Sequence, residues 1–455
     1  MNAHLQTPCR FAATTLFFIF VTMRGAADEP DWKVGLAQVK ITPEQPLFMA
    51  GYASRDRPFE KVTADLYAKA LALEDRDGHL AVLVTTDLIG LSAAIAEPIC
   101  TRLAERAGLK RDQILLNSSH IHTGPALSLN ADRGNKSSPS DIHRTVEYTL
   151  KLQDQVVEVV IESLKAREPA RLSWGTGVAN FVLSRRQKTP RGVILGMNAR
   201  GPADRTVPVL RIDSADGRLR AVLFGAATHN TTLRPNCYEI CGDYAGFAQA
   251  NLAEQHPGVQ TMFILGLAGD SDPYPHGTME LARKHGLELS QEVERVLGTK
   301  LEPVRGPLRL SFGMADLPMD APSRAELEKQ AAASDRFAAT AKRNLEALEK
   351  GEKLRDHYTA PIAVWQFGSD LTLVALSGEV VVDYVALIEK AVGPNKLWLS
   401  AYSNDYYGYL PSARLLAEGG YETGGIGGIR FSPRAQDVLT GKVRELAADV
   451  GRDLP

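Results

Sequence analysis

Cysteine is scarce in this chain: four in 455 residues, one of them, Cys9, inside an N-terminal segment that reads as removable. The other three, Cys100, Cys237 and Cys241, form an odd set, so at least one thiol stays unpaired and a disulfide-stapled scaffold is excluded. Cys237 and Cys241 stand at C-x3-C spacing without a second pair, which argues against a structural zinc knuckle. They are expected either to close a short disulfide loop or to be small buried residues. An excess of charge of one sign is also missing. Basic and acidic residues number 52 and 54, and no long basic run occurs, so no nucleic-acid partner is expected. The apolar run Phe11–Met23 is 13 residues long, short of the ~20 that span a bilayer core. With Arg10 before it and Gly25, Ala26 and Ala27 after it, residues 1–27 read as a secretory signal, and the mature protein as secreted or periplasmic.

What is present is the composition of an ordinary globular enzyme, 44% hydrophobic and 23% charged. Short apolar runs predict strands at Val34–Ile41, Tyr67–Glu74, Leu80–Asp87 and Gln113–Ser119, with a helix over Ala93–Ala107. A helix over Val146–Lys165 is followed by strands at Arg171–Val178, Val207–Ile212 and Leu219–Ala227, with a hairpin signal at Asp216-Gly217. Tyr244–Gln255 reads as a helix, Gln260–Leu265 and Leu371–Leu376 as strands. This alternation predicts an α/β domain. The charged, alanine-rich stretch Ser323–Glu352 opens with the capping-box pattern Ser323-x-x-Glu326 and predicts a long helix, an excursion within one catalytic unit. Gly419–Gly428 lacks the Gly-Lys-Ser/Thr ending of a nucleotide loop and is expected to be a flap or a packing loop.

Histidines at strand ends carry the chemical signal. His120 and His122 follow one predicted strand and, on an extended chain, would project from the same face. His229 follows another. Three protein ligands with an open position are the usual equipment of catalytic zinc, and Glu379, after a strand and a glycine, fits as the carboxylate. Gly269-Asp270-Ser271 superficially resembles a serine-esterase block, but it comes late in the chain and lacks the Ser-Leu continuation, and no Gly-x-Ser-x-Gly elbow surrounds the serine.

In order, Met49-Ala50-Gly51-Tyr52, Ser119-His120-Ile121-His122-Thr123-Gly124-Pro125, Arg185-Arg186, Ala227-Thr228-His229, Gly269-Asp270-Ser271-Asp272-Pro273, Ser377-Gly378-Glu379 and Ser403-Asn404-Asp405-Tyr406-Tyr407-Gly408-Tyr409 resemble the N-terminal catalytic domain of the neutral/alkaline (non-lysosomal) ceramidases, from Val34 to about Pro433. The resemblance implies an α/β fold of mixed β-sheets flanked by helices over residues 28–455, without the C-terminal immunoglobulin-like domain that accompanies many ceramidases. It also implies one zinc ion held by His120, His229, Glu379 and a tyrosine. Aligning the asparagine of Asn404–Tyr409 selects Tyr409; one inserted residue would select Tyr406. His122 would stand beside the metal as a substrate or proton-handling group. Where the family has Gly-Asp-x-Ser-Pro, with the serine implicated in catalysis, this chain has Asp272.

The expected function is therefore zinc-dependent hydrolysis of an N-acyl amide, ceramide-like, by a metal-bound water whose pKa falls to about 7. His122 would serve the leaving amine, Tyr409 the metal or the oxyanion, and Asp272 would orient water or cap a turn. The partner implied is a small-molecule or lipid-like acyl amide, with membrane contact open. A zinc hydrolase of another ester or amide bond, and an exported binding protein without turnover, are the alternatives.

Overall fold

The computed structural model describes residue 1 and residues 29–130, 138–333, 338–424 and 429–455. Residues 2–28, which include most of the expected secretory signal, lie outside the described residues, as do 425–428 of the glycine-rich segment and 334–337 of the alanine-rich stretch. A large mixed sheet runs, edge to edge, through Gln260–Leu265, Leu219–Ala226, Thr206–Ser214, Glu168–Val178, Trp32–Lys40, Tyr67–Asp75, Leu80–Thr86 and Ile114–Ser118. Its central strands are apolar on both faces because both are covered. Ala70, Ala72, Val82 and Val84 pack under the helices Ala93–Ala107 and Pro139–Lys165, whereas Leu71, Leu73, Ala81 and Leu83 point the other way. There they meet Trp365, Phe367, Leu371 and Leu373 of a second sheet, formed by Leu308–Pro318, His357–Phe367, Leu371–Leu376 and Leu397–Ser400. Helices Asp383–Val392 and Ala435–Asp449 cover the outer face of that sheet, giving helix, sheet, sheet and helix layers.

Three βαβ units position the site. Leu80–Thr86 and Ile114–Ser118 are parallel neighbours joined through the helix Ala93–Ala107. Leu219–Ala226 and Gln260–Leu265 are joined through Asp243–Gln255, and Leu371–Leu376 and Leu397–Ser400 through Asp383–Val392. Ligands of open α/β sheets lie beyond the carboxyl ends of such strands, and here the loops leaving all three pairs meet. The two outer strands of the large sheet are also stitched together, the Leu265 N–H donating to Asn117 Oδ1 at 3.1 Å, and Lys69 Nζ of the inner strand Tyr67–Asp75 donates to the Thr261 carbonyl at 2.8 Å.

Two sequence expectations change in detail. The predicted long helix over Ser323–Glu352 is two helices, Arg324–Ala332 and Ala338–Glu349; the Ser323–Glu326 capping box is present at the first. The excursion sits between the antiparallel strands Leu308–Pro318 and His357–Phe367, whose register runs to Pro318 opposite His357. The helix predicted from Val146 starts earlier, because Ser138 caps it with Asp141 and Pro139 takes its first position. Cys237 and Cys241 are free thiols. Among the described residues, no helix is long and apolar enough to cross a membrane.

Candidate metal and active site

Each βαβ unit delivers a polar side chain to one point. His120 leaves the first unit just after Ile114–Ser118, His229 leaves the second after Leu219–Ala226, and Glu379 leaves the third after Leu371–Leu376. Glu379 and Tyr409 are paired in register on two short parallel strands, which sets both side chains beside each other. The expectation that His120 and His122 share an extended strand does not hold. His120 has a φ of 59°, left-handed for a residue with a Cβ, and the turn brings the two Nε2 atoms within 3.2 Å of each other. Such strain persists where the surroundings fix it. Here the Asn230 amide donates to the Ser119 carbonyl, and the His122 N–H to the Asn230 carbonyl.

His120 Nδ1 donates to the Ile89 carbonyl and His229 Nδ1 to the Ala268 carbonyl, both at 2.7 Å. A carbonyl only accepts, so in each neutral ring the proton sits on Nδ1 and Nε2 presents a lone pair. Both lone pairs face Glu379 Oε2, at 3.3 and 3.1 Å. Burial first, then Arg185, push the pKa of His229 down and favour its neutral ring. Three acceptors therefore converge with no proton among them, at residues no more than 3% exposed. That donor set calls for a cation. Ligand atoms around a tetrahedral zinc at 2.0–2.1 Å stand about 3.4 Å apart; the separations here are 3.1 and 3.3 Å, with the Tyr409 hydroxyl 3.4 Å from His229 Nε2. His120, His122 and His229 together form a group that can hold a metal ion.

A second group, Asp75, Asp77 and His79, has another explanation. Asp75 accepts from the backbone nitrogens of Asp77, His79 and Leu308 and from the His79 ring, so its carboxylate is spent holding a turn.

Around the histidines stands a fixed polar frame. Tyr406 donates to Glu379 Oε1 at 3.2 Å, and Arg185 donates to the Tyr409 hydroxyl at 2.9 Å. Arg185 also reaches the Gly269 carbonyl, Glu422 and Asp272. Burial works against its charge, but Tyr409, Asp272 and Glu422 outweigh it and raise its pKa well above the ordinary value. A cavity of about 490 Å3 opens beside His122 and Tyr409, walled by Arg185, Arg234, Asp272 and Tyr274.

The profile of the family described as "Neutral/alkaline non-lysosomal ceramidase, N-terminal" matches residues 32–271. The chain belongs to that family. Its fold is similar to the crystal structure of the neutral ceramidase from Pseudomonas aeruginosa, with a TM-score of 0.72 and 20% identity, over 93% of this chain and 75% of that one. A structure described as a ceramidase complexed with C2 gives 0.71 and 19%, over 92% and 75%. Family and fold support a hydrolase acting on amide bonds.

The expected ligand and catalytic residues His120, His122, His229, Asp272, Glu379, Tyr406 and Tyr409 all lie at this ceramidase-like centre. Asp270 accepts from the Val382 N–H at the start of the helix Asp383–Val392. Asp272 is less free than a water-orienting group needs to be: Oδ1 accepts from Arg185 and Thr231, and Oδ2 from Arg234. Sequence reasoning missed Glu422, Arg234 and the two carbonyls. Glu422 had a signal, as the one acid in Gly419–Gly428 and a counter-charge for Arg185-Arg186. Arg234 had none.

Proposed function

We propose that this chain is an exported, zinc-dependent hydrolase of an N-acyl amide. The observation that carries the reading is the convergence of His120 Nε2, His229 Nε2 and Glu379 Oε2, all acceptors, with both histidine protons committed elsewhere. His120, His229, Glu379 and Tyr409 would hold the ion. Zinc bound there supplies a Lewis acid that polarises a carbonyl and makes hydroxide available near neutral pH.

The chain's own residues then divide the remaining work. His122 differs from the two ligand histidines, because its Nδ1 has no partner and no carbonyl orients it as a ligand. It lines the cavity, and it is kept neutral by burial and by His120 and His229. This suits it to pass a proton to the leaving amine. Tyr409, its oxygen already receiving a hydrogen bond from Arg185, offers its own O–H toward charge that develops on the scissile carbonyl oxygen. Asp272 acts as a positioning residue, fixing two guanidinium groups against the cavity wall.

Elemental analysis of the purified protein tests the metal, and release of amine and fatty acid from N-acyl amides tests the reaction. About one zinc per chain, lost in His229→Ala and Glu379→Ala, with amide cleavage that disappears alongside it, is expected. Wild-type protein that keeps no zinc after reconstitution would sink the metallohydrolase reading.

A further inference from the structure

The cavity beside the histidines is rich in hydrogen-bond donors and poor in free acceptors. Its charged wall residues are Arg185, Arg234 and Asp272. Glu422, behind the wall, is shared by Arg185 and Arg186. Among the described residues, Asp272 is the only carboxylate at the wall, and each of its oxygens is already taken by an arginine. Arg185 has Glu422 as a second carboxylate partner and Arg234 has none beyond Asp272, and Arg234 is also the more open of the two, its side chain 28% exposed against 6% for Arg185. The bonds of Arg234, 3.1 Å to His276 Nδ1 and 3.3 Å to Asp272, lie at the long end of the range. A planar guanidinium held this way matches a carboxylate. The opposite requirement is met at the rim, where the strand Gly192–Asn198 carries Leu195 and Met197, 51% and 54% exposed, beside the cavity. Large apolar side chains in the open at such a place offer cover to a hydrocarbon chain.

We propose that the preferred substrate is a long-chain N-acyl amide whose amine half bears a carboxylate, as in an N-acyl amino acid, with Arg234 as the specificity residue. This rests on the amide-hydrolase reading above. Arg234 meets the carboxylate, and Leu195 and Met197 cover the acyl chain. The reaction adds one water: the carbonyl carbon gains a C–O bond, the C–N bond breaks, and a fatty carboxylate and a protonated amino acid leave. Asp272 serves selection too, since it fixes both arginines without itself offering a free acceptor to a hydroxylated headgroup.

The test compares kcat/KM of the zinc-loaded full chain for N-lauroylglycine and for N-lauroylethanolamine, which differ in carboxylate against neutral hydroxyl. The carboxylate substrate is expected to be preferred at least tenfold. Arg234→Gln should shrink that ratio about tenfold, mainly through KM, and Arg234→Lys should retain part of it. Equal rates on both amides, or a preference that survives Arg234→Gln, overturn the assignment and leave the amide-hydrolase reading standing. Zinc-loaded protein that cleaves neither of these amides nor a short-chain ceramide overturns that reading, and this assignment with it.

Discussion

The side-chain oxygen of Asn117 accepts a hydrogen bond from the backbone nitrogen of Leu265, joining the two outer strands of the large sheet. Its amide nitrogen reaches the Ala401 carbonyl at 2.7 Å and the hydroxyls of Ser400 and Ser403 at 3.1 Å. One buried side chain therefore ties together all three strand pairs that feed the metal site. Asn117→Ala strands buried donors and acceptors at once, at about 1–3 kcal/mol for each unsatisfied group. Urea unfolding should show a lower midpoint for this variant, and zinc content should fall with it. An unchanged midpoint would deny Asn117 this role.

Gly51 has a φ of 90°, and a Cβ there would lie 2.4 Å from the ring of His122. Gly51→Ala should displace His122 while leaving His120, His229 and Glu379 in place. The expected result is a loss of kcat of tenfold or more with zinc content near that of the wild type. Loss of zinc in step with activity would instead make His122 a ligand.

Tyr406 and Tyr409 should separate by readout. Tyr406→Phe removes the donor to Glu379 Oε1 and should weaken zinc affinity about 10–100-fold, as outer partners of metal ligands do. Adding zinc in excess should restore most of its turnover. Tyr409→Phe removes a metal ligand together with the hydroxyl that faces the reacting oxygen, so excess zinc should restore its zinc content but not its turnover. Rescue of both or of neither would reject this division.

Asp270 gives a pH dependence remote from the reaction. Burial, with Glu422 next, pushes its carboxyl up to about 6, and Oδ2 has no partner. Because the folded state holds the proton more tightly than the unfolded chain, the contribution of Asp270 is fully present below about pH 4. It erodes as pH rises toward 6, by about 3 kcal/mol at most. Asp270→Asn keeps an acceptor for the Val382 N–H without the charge. Its stability relative to wild type should rise between pH 4 and pH 7 in chemical denaturation; parallel curves would contradict the assignment.

The residues most legible in the sequence were those whose signal is local. His120, His229 and Glu379 each follow a short apolar strand, and that pattern predicts both the strand and the polar residue at its end. The strands Tyr67–Asp75 and Leu80–Thr86 were readable for the same reason. The strand Leu308–Pro318 was not read, because its residues are mostly half-exposed and its pairing with His357–Phe367 spans a long excursion. Nor could spacing show that Ile89 and Ala268 would lend their carbonyls, since any residue type supplies a carbonyl. Arg234 is one of many arginines until the fold sets it against Asp272. The left-handed turn at His120 was also hidden, because nothing in the His-x-His pattern marks a change of chain direction.

Pro318 and His357 stand directly opposite each other, so the chain leaves the second sheet and re-enters it at a single doorway. Closing a loop costs entropy that grows only with the logarithm of its length. A foreign segment grafted into that doorway would hang from the scaffold like a pendant, its size nearly invisible to the strands that hold it, and the reactive centre would be fed from elsewhere in the fold.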